Sequence, residues 1–112
     1  MTTTKFGKKS EDRAVEFLLN NNFIIIERNF YAKKLGEIDI IAKKDNILHF
    51  IEVKSSASNK YQPIYNITPT KLRRIINSAH YYLKFKNLDV VFSLDAIIIT
   101  NKNIEFIENI TI

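Results

Sequence analysis

"GEIDIIAKKDNILHFIEVKSS", residues 36–56, reads as two strands around a tight turn. Asp45 and Asn46 both tolerate positive φ, so they serve as the two central residues of a hairpin. Paired positions then sum to 91, so that Ala42 faces His49, Ile40 faces Ile51, Asp39 faces Glu52 and Glu37 faces Lys54. Side chains alternate along a strand, which puts Glu37 and Asp39 on one sheet face together with Glu52 and Lys54. Ile38, Ile40, Ile51 and Val53 are expected on the other face. A slip of one residue would destroy this parity.

Two like charges directly across a hairpin are destabilising, and the cost grows if a helix covers them. A divalent cation removes the conflict. Mg²⁺ takes oxygen ligands, commonly one or two carboxylates, with water and phosphate completing its shell. Asp39 and Glu52 supply the carboxylates, and the main-chain carbonyl of Val53 offers a further oxygen. Lys54 points into the same space, placed to orient or deprotonate an attacking water or to stabilise charge developing on a phosphate. The competing arrangement is a hairpin in which Lys54 pairs with Glu37 and the other acids are solvated at an exposed edge.

The remaining composition narrows the setting. A chain of 112 residues is long enough for one core and hardly for two. It contains no cysteine, which excludes disulfides, thiol catalysis and Cys-ligated zinc. No apolar run approaches the ~20 residues of a membrane span, and "MTTTKFGKKSEDR" lacks the apolar core of a signal peptide, so a cytoplasmic location without membrane contact is expected. The formal net charge of +5 is unevenly distributed: from Val53 to Leu88 there are seven basic residues and no acid. That asymmetry fits a polyanionic partner as readily as a solvated helix face.

Outward from the hairpin, the spacing of Ala14, Phe17 and Leu18 predicts a helix over about Lys5–Asn21, closed by the Asn run at 20–22. "FIIIERNFY" (23–31) reads as a first strand, and "SSASNKYQPIYN" (55–66) as a loop in which Tyr61 and Tyr65 could stack on bases or pin the loop to the core. Thr68 is the expected N-cap and Pro69 the first residue of a second helix. Its apolar stripe is Leu72, Ile75, Ile76, Ala79 and Leu83, with Lys71 and Arg74 off it. Strands follow near Leu94–Thr100 and over "IEFIENITI" (104–112). The order α-β-β-β-α-β-β implies an α/β fold with a central mixed sheet flanked by helices.

The pair "GEIDIIA" and "HFIEVKS" resembles the PD-(D/E)XK superfamily, and within it the YraN-type family of endonuclease-like proteins, which is similar to archaeal Holliday-junction resolvases. The likeness runs from about Phe6 to Ile98. It implies a restriction-endonuclease-like fold in a single nuclease-like domain spanning 1–112. It further implies Asp39 as the metal-binding acid, Glu52 as the second acid and Lys54 as the catalytic lysine. Glu11 matches the acid of the N-terminal helix, Glu37 an additional strand acid, Lys71 a helix lysine suited to phosphate, and Asp95 the aspartate of an Arg-Phe-Asp motif. The chain departs from the family at Ser10 (usually Gly), Ser56 (usually Arg) and Ser93 (usually Arg).

The function so implied is a Mg²⁺-dependent deoxyribonuclease, with Mn²⁺ as a substitute metal, acting on branched or single-stranded DNA. Lys71, Arg73 and Arg74, with Lys8 and Lys9 of the first helix, are the expected phosphate contacts. A homodimer would suit paired incision. The alternative is a non-catalytic nucleic-acid-binding module that keeps the nuclease fold, as the missing arginines suggest. His49 falls on the face away from Glu52 and is expected to be structural, and His80 is expected at the surface or in packing.

Overall fold

Asp45 (φ 52°) and Asn46 (φ 65°) both adopt the left-handed conformation, as a two-residue turn requires when it must match the twist of the strands it joins. The computed structural model describes residues 2–55 and 67–111, with residues 2–8 described by their backbone alone. The elements are helix α1 (Thr2–Asn20), strand β1 (Ile24–Tyr31), a 3₁₀ turn (Lys33–Leu35), the hairpin β2 (Glu37–Lys44) and β3 (Ile47–Ser55), helix α2 (Pro69–Phe85), and strands β4 (Phe92–Ile99) and β5 (Ile104–Ile107). The expected α-β-β-β-α-β-β order holds. Tyr61 and Tyr65 lie outside the described residues.

One five-stranded sheet carries the strands in sequential order. β1–β2, β2–β3 and β4–β5 pair antiparallel, whereas β3 and β4 run parallel and are joined through α2, the crossover that a parallel pair needs. The two helices cover opposite faces. Ile75, Ala79, Tyr82 and Leu83 of α2 pack on Phe30, Ile38, Ile41, Leu48, Phe50 and Leu94. Ala14 and Leu18 of α1 pack on Phe23, Ile40, Ala42, Ile51, Ile97 and Ile99. Each fully buried side chain such as Phe50 or Ile51 contributes roughly 1.5–3 kcal/mol, so the hairpin is anchored from both sides.

The caps are legible. Thr68 Oγ1 accepts from the Lys71 amide at 3.1 Å, with Pro69 in the first turn. Asn22 (φ 70°) ends α1, and the Phe23 amide turns back to the Leu18 carbonyl at 3.0 Å.

Two expectations need correction. The last strand stops at Ile107 rather than running to residue 112. Asn109 turns left-handed (φ 61°) and its amide donates to Asp95 Oδ1 at 2.8 Å, while the Ile110 amide donates to the Leu94 carbonyl. Ile38, for its part, packs under α2 with Phe30, whereas Ile40, Ile51 and Val53 pack under α1. The alternation changes phase at Asp39, where the neighbouring strand carries Asn29 in the left-handed region (φ 54°).

Gly36 (φ 140°) enters β2 beneath α2, in a backbone region that side chains rarely adopt. A Cβ there would lie 3.2 Å from Ser78 Oγ. Gly36→Ala is expected to lower the urea-unfolding free energy by about 1–3 kcal/mol with an unchanged m-value. A stability equal to wild type would contradict the close packing of α2 on this turn.

Candidate active site

The hairpin register is the one derived from its turn: Ile40 pairs with Ile51, Ala42 with His49 and Lys44 with Ile47. Regular pairing stops at Ile40–Ile51, so the expected cross-strand pairs Asp39–Glu52 and Glu37–Lys54 do not form as ladder pairs. The Asp39 side chain takes up the slack. Its Oδ2 accepts the Val53 amide at 2.8 Å, a donor that a continuing ladder would have used. The strands therefore part where the acids lie, and each carboxylate gains room.

Glu37, Asp39 and Glu52 wall a cavity of about 400 Å³ together with Gly36, Thr68, Thr70, Lys71, Arg74 and Ile75. The site thus sits on two interior strands under the first turns of α2, not at an exposed sheet edge. Lys71 Nζ lies 2.7 Å from Glu52 Oε2. Arg74 Nε reaches the Leu35 carbonyl at 3.4 Å, which ties α2 to the 3₁₀ turn bearing Lys33 and Lys34. Those two turn lysines were not singled out in the sequence; only the fold brings them beside the basic side of α2.

The other expected residues are distributed as follows. Glu11 lies 3.6 Å from Arg28, and the amide nitrogen of Asn29, oriented toward it, is 3.2 Å from both its carboxylate oxygens. Glu11 is close enough for its charge to act on Asp39. Lys54 is half-buried and is not part of the cavity wall, and among the described residues it does not pair with Glu37. Lys71, Arg73 and Arg74 are exposed on α2, and Lys9 is exposed on α1, whereas the side chain of Lys8 lies outside the described residues.

Electrostatically, the described cavity wall sets three carboxylates, Glu37, Asp39 and Glu52, against two cations, Lys71 and Arg74. Burial first, and then the charge of Glu52, push Asp39 from its ordinary 3.8 up to about 7, with Glu11 and Glu37 adding to the rise and the Val53 amide opposing it. Arg28 is shared between Asp12 at 2.8 Å and Glu11 at 3.6 Å, Lys71 pairs with Glu52, and among the described residues Asp39 has the Val53 amide as its one hydrogen-bond donor. Among the described residues no three His, Cys, Asp or Glu side chains converge tightly enough to form a metal cage. Two carboxylates with water and phosphate is, however, the usual way of holding Mg²⁺, so the donor set fits that ion.

On the far side of β3, His49 Nδ1 lies 2.5 Å from Asp95 Oδ2, both residues being buried. Asp95 Oδ1 accepts from Ser93 Oγ at 2.6 Å and from the Asn109 amide. Ser93 thus bonds the aspartate directly. Phe23 and Phe106 pack edge-on against His49, so it belongs to the core, as expected. His80 is exposed with Phe92 at its edge.

Residues 10–99 match the uncharacterised protein family UPF0102. The chain belongs to UPF0102. This is the YraN-type family that the paired motifs pointed to, and the α/β architecture is compatible with a restriction-endonuclease-like fold. A UPF0102 protein from Sulfurovum sp. is 62% identical over 107 residues, covering 96% of this chain and 94% of that protein. One from Wolinella succinogenes is 55% identical over 106 residues, 95% of each chain. One from Helicobacter hepaticus is 48% identical over 112 residues, 100% of this chain and 99% of that one. The UPF0102 match takes in Glu11, Glu37, Asp39, Glu52, Lys54 and Lys71. No helix among the described residues is long and apolar enough to cross a membrane.

The raised pKa of Asp39 carries a sign. Its folded value lies above its unfolded value, so the folded chain holds this proton more tightly, and the resulting stability is complete below about pH 4 and is lost as pH rises towards 7. Asp39→Asn, which can still accept the Val53 amide, is expected to be more stable than wild type at pH 8 by roughly 1–3 kcal/mol, the gap closing at pH 4. Thermal denaturation in EDTA across pH 4–8 checks this. A variant less stable than wild type at pH 8 would contradict the burial of Asp39 among neighbouring acids.

Proposed function

We propose that this chain is a Mg²⁺-dependent deoxyribonuclease that hydrolyses phosphodiester bonds, with Mn²⁺ able to substitute. The observation that carries the reading is the cavity that Asp39 and Glu52 share, where burial and the charge of Glu52 raise the Asp39 pKa, under a helix whose exposed side is basic. Asp39, held by the Val53 amide, and Glu52 would hold the metal, with the Val53 carbonyl as a further oxygen donor. When bound, that ion would lower the pKa of a water and neutralise charge on the phosphate.

The chain's own residues account for the rest. Lys54 follows Glu52 by two positions on β3 and would orient the attacking water or stabilise the developing charge. Glu11 would add negative potential behind Asp39 while Arg28 keeps its carboxylate in place, and Glu37 would ligate water at the cavity wall. Lys71, Arg73 and Arg74, with Lys8 and Lys9, would contact backbone phosphates. The water oxygen forms the new P–O bond, the bond to one sugar oxygen breaks, and that oxygen leaves with a proton. Branched or single-stranded DNA is the proposed substrate, and a homodimer would place two such sites for paired cuts.

A second reading, a nucleic-acid-binding module without turnover, is supported by the Lys71–Glu52 ion pair and by the position of Lys54 off the cavity wall. Cleavage separates the two. Wild type with Mg²⁺ or Mn²⁺ is expected to nick a synthetic four-way junction or single-stranded DNA, and Asp39→Asn, Glu52→Gln and Lys54→Met each to lose at least about a hundredfold in rate while keeping the wild-type circular dichroism spectrum. Cleavage unchanged by all three substitutions would overturn the site assignment. DNA binding without cleavage at any metal concentration would favour the module.

A further inference from the structure

The ion pair between Lys71 and Glu52 has an unusual place. Lys71 is in the first turn of α2, two residues after Pro69, where the helix dipole is positive and disfavours a cation. Helix stability therefore does not explain the position of this ammonium. Its partner does: Glu52 is 11% exposed at the side chain and needs a counter-charge, and the Lys71 nitrogen meets it at 2.7 Å. The Lys71 side chain is 45% exposed and its ammonium sits on a flexible four-carbon stem. The wall beside it is formed by Thr68, Thr70 and Arg74, a rim of hydroxyls and a guanidinium suited to a phosphate.

We infer that Lys71 is an exchangeable internal counter-cation, which neutralises Glu52 until a divalent ion takes that carboxylate and then turns to a phosphate of the nucleic-acid backbone. This rests on the metal site proposed above and goes beyond it by assigning Lys71 two successive partners. Lys71 competes with the metal for one carboxylate, so metal-free protein holds this phosphate-binding lysine in reserve. Once released, Lys71 adds a contact to the substrate. Metal and DNA then raise each other's affinity, as linkage requires of two ligands that favour the same state. Arg73 and Arg74 do not share this behaviour, since neither contacts a carboxylate among the described residues.

Calorimetric titration of the full chain with MnCl₂ tests the exchange without any turnover. Lys71→Met is expected to bind Mn²⁺ about three- to tenfold more tightly than wild type at low ionic strength, because the competing cation is gone. Equal or weaker binding by the variant would overturn the inference. A second readout uses DNA in Ca²⁺. For wild type the slope of log affinity against log salt should steepen by roughly 0.7–0.9 on adding Ca²⁺, one additional phosphate contact, beyond any change seen in Lys71→Met. Identical slope changes in the two proteins would also overturn it. Asp39→Asn distinguishes the two levels of failure. If that variant binds Mn²⁺ as wild type does, the metal site itself is wrong. If it loses binding while Lys71→Met matches wild type, only the exchange is wrong.

Discussion

The Val53 amide, donated to the Asp39 carboxylate at 2.8 Å, decides how the centre of this protein is built. A β-ladder ordinarily consumes every amide along its strands. Here β2 and β3 pair regularly from their turn up to Ile40–Ile51 and then part, and the orphaned amide is satisfied by a side chain instead of by backbone. The opening creates the cavity, fixes Asp39 beside Glu52, and lets α2 close over both. Apolar packing on both faces, from Phe50 and Ile41 under α2 and Ile40 and Ile51 under α1, keeps the two strands from relaxing back into register or apart.

Holding these acids together works against folding. Like charges within one partly buried cavity repel, and the protein relieves that strain only in part. Arg28 is shared between Asp12 and Glu11 at the α1 end and Lys71 compensates Glu52 at the α2 end, while burial first and the charge of Glu52 second raise the Asp39 pKa to about 7. Carboxylates whose ionisation is strongly perturbed by burial and neighbouring charge cluster at functional sites, although structural networks also perturb them. The buried His49–Asp95 pair makes the contrast. Its carboxylate is fully satisfied by Ser93, Asn109 and the imidazole, and it secures the return of the chain after β5.

Much of this was legible in the residues. Asp45-Asn46 determined the turn and with it the register, and Thr68-Pro69 marked the start of α2 to the residue. Period-two alternation fails at Ile38 because it assumes an unbroken pleat, whereas the β2–β3 ladder ends at Ile40–Ile51 and the neighbouring strand carries the left-handed Asn29. The end of β5 escaped notice for a related reason: an alternating pattern continues on paper through Asn109, but a buried carboxylate claims that amide. The pairing of Lys71 with Glu52 could not be read at all, since nothing local in the sequence tells how far α2 leans over β3. The same holds for Lys33 and Lys34, which the Arg74–Leu35 contact brings alongside the helix.

The proposed chemistry requires that Asp39 and Glu52 together hold a divalent cation. Crystals grown with Mn²⁺ and measured for anomalous scattering at the manganese edge test it directly. The expected result is a single strong peak between the two carboxylates, about 2.1 Å from an oxygen of each, with Lys71 turned away from Glu52. Crystals grown in saturating Mn²⁺ in which Lys71 still pairs with Glu52 and no peak lies within reach of Asp39 would contradict it.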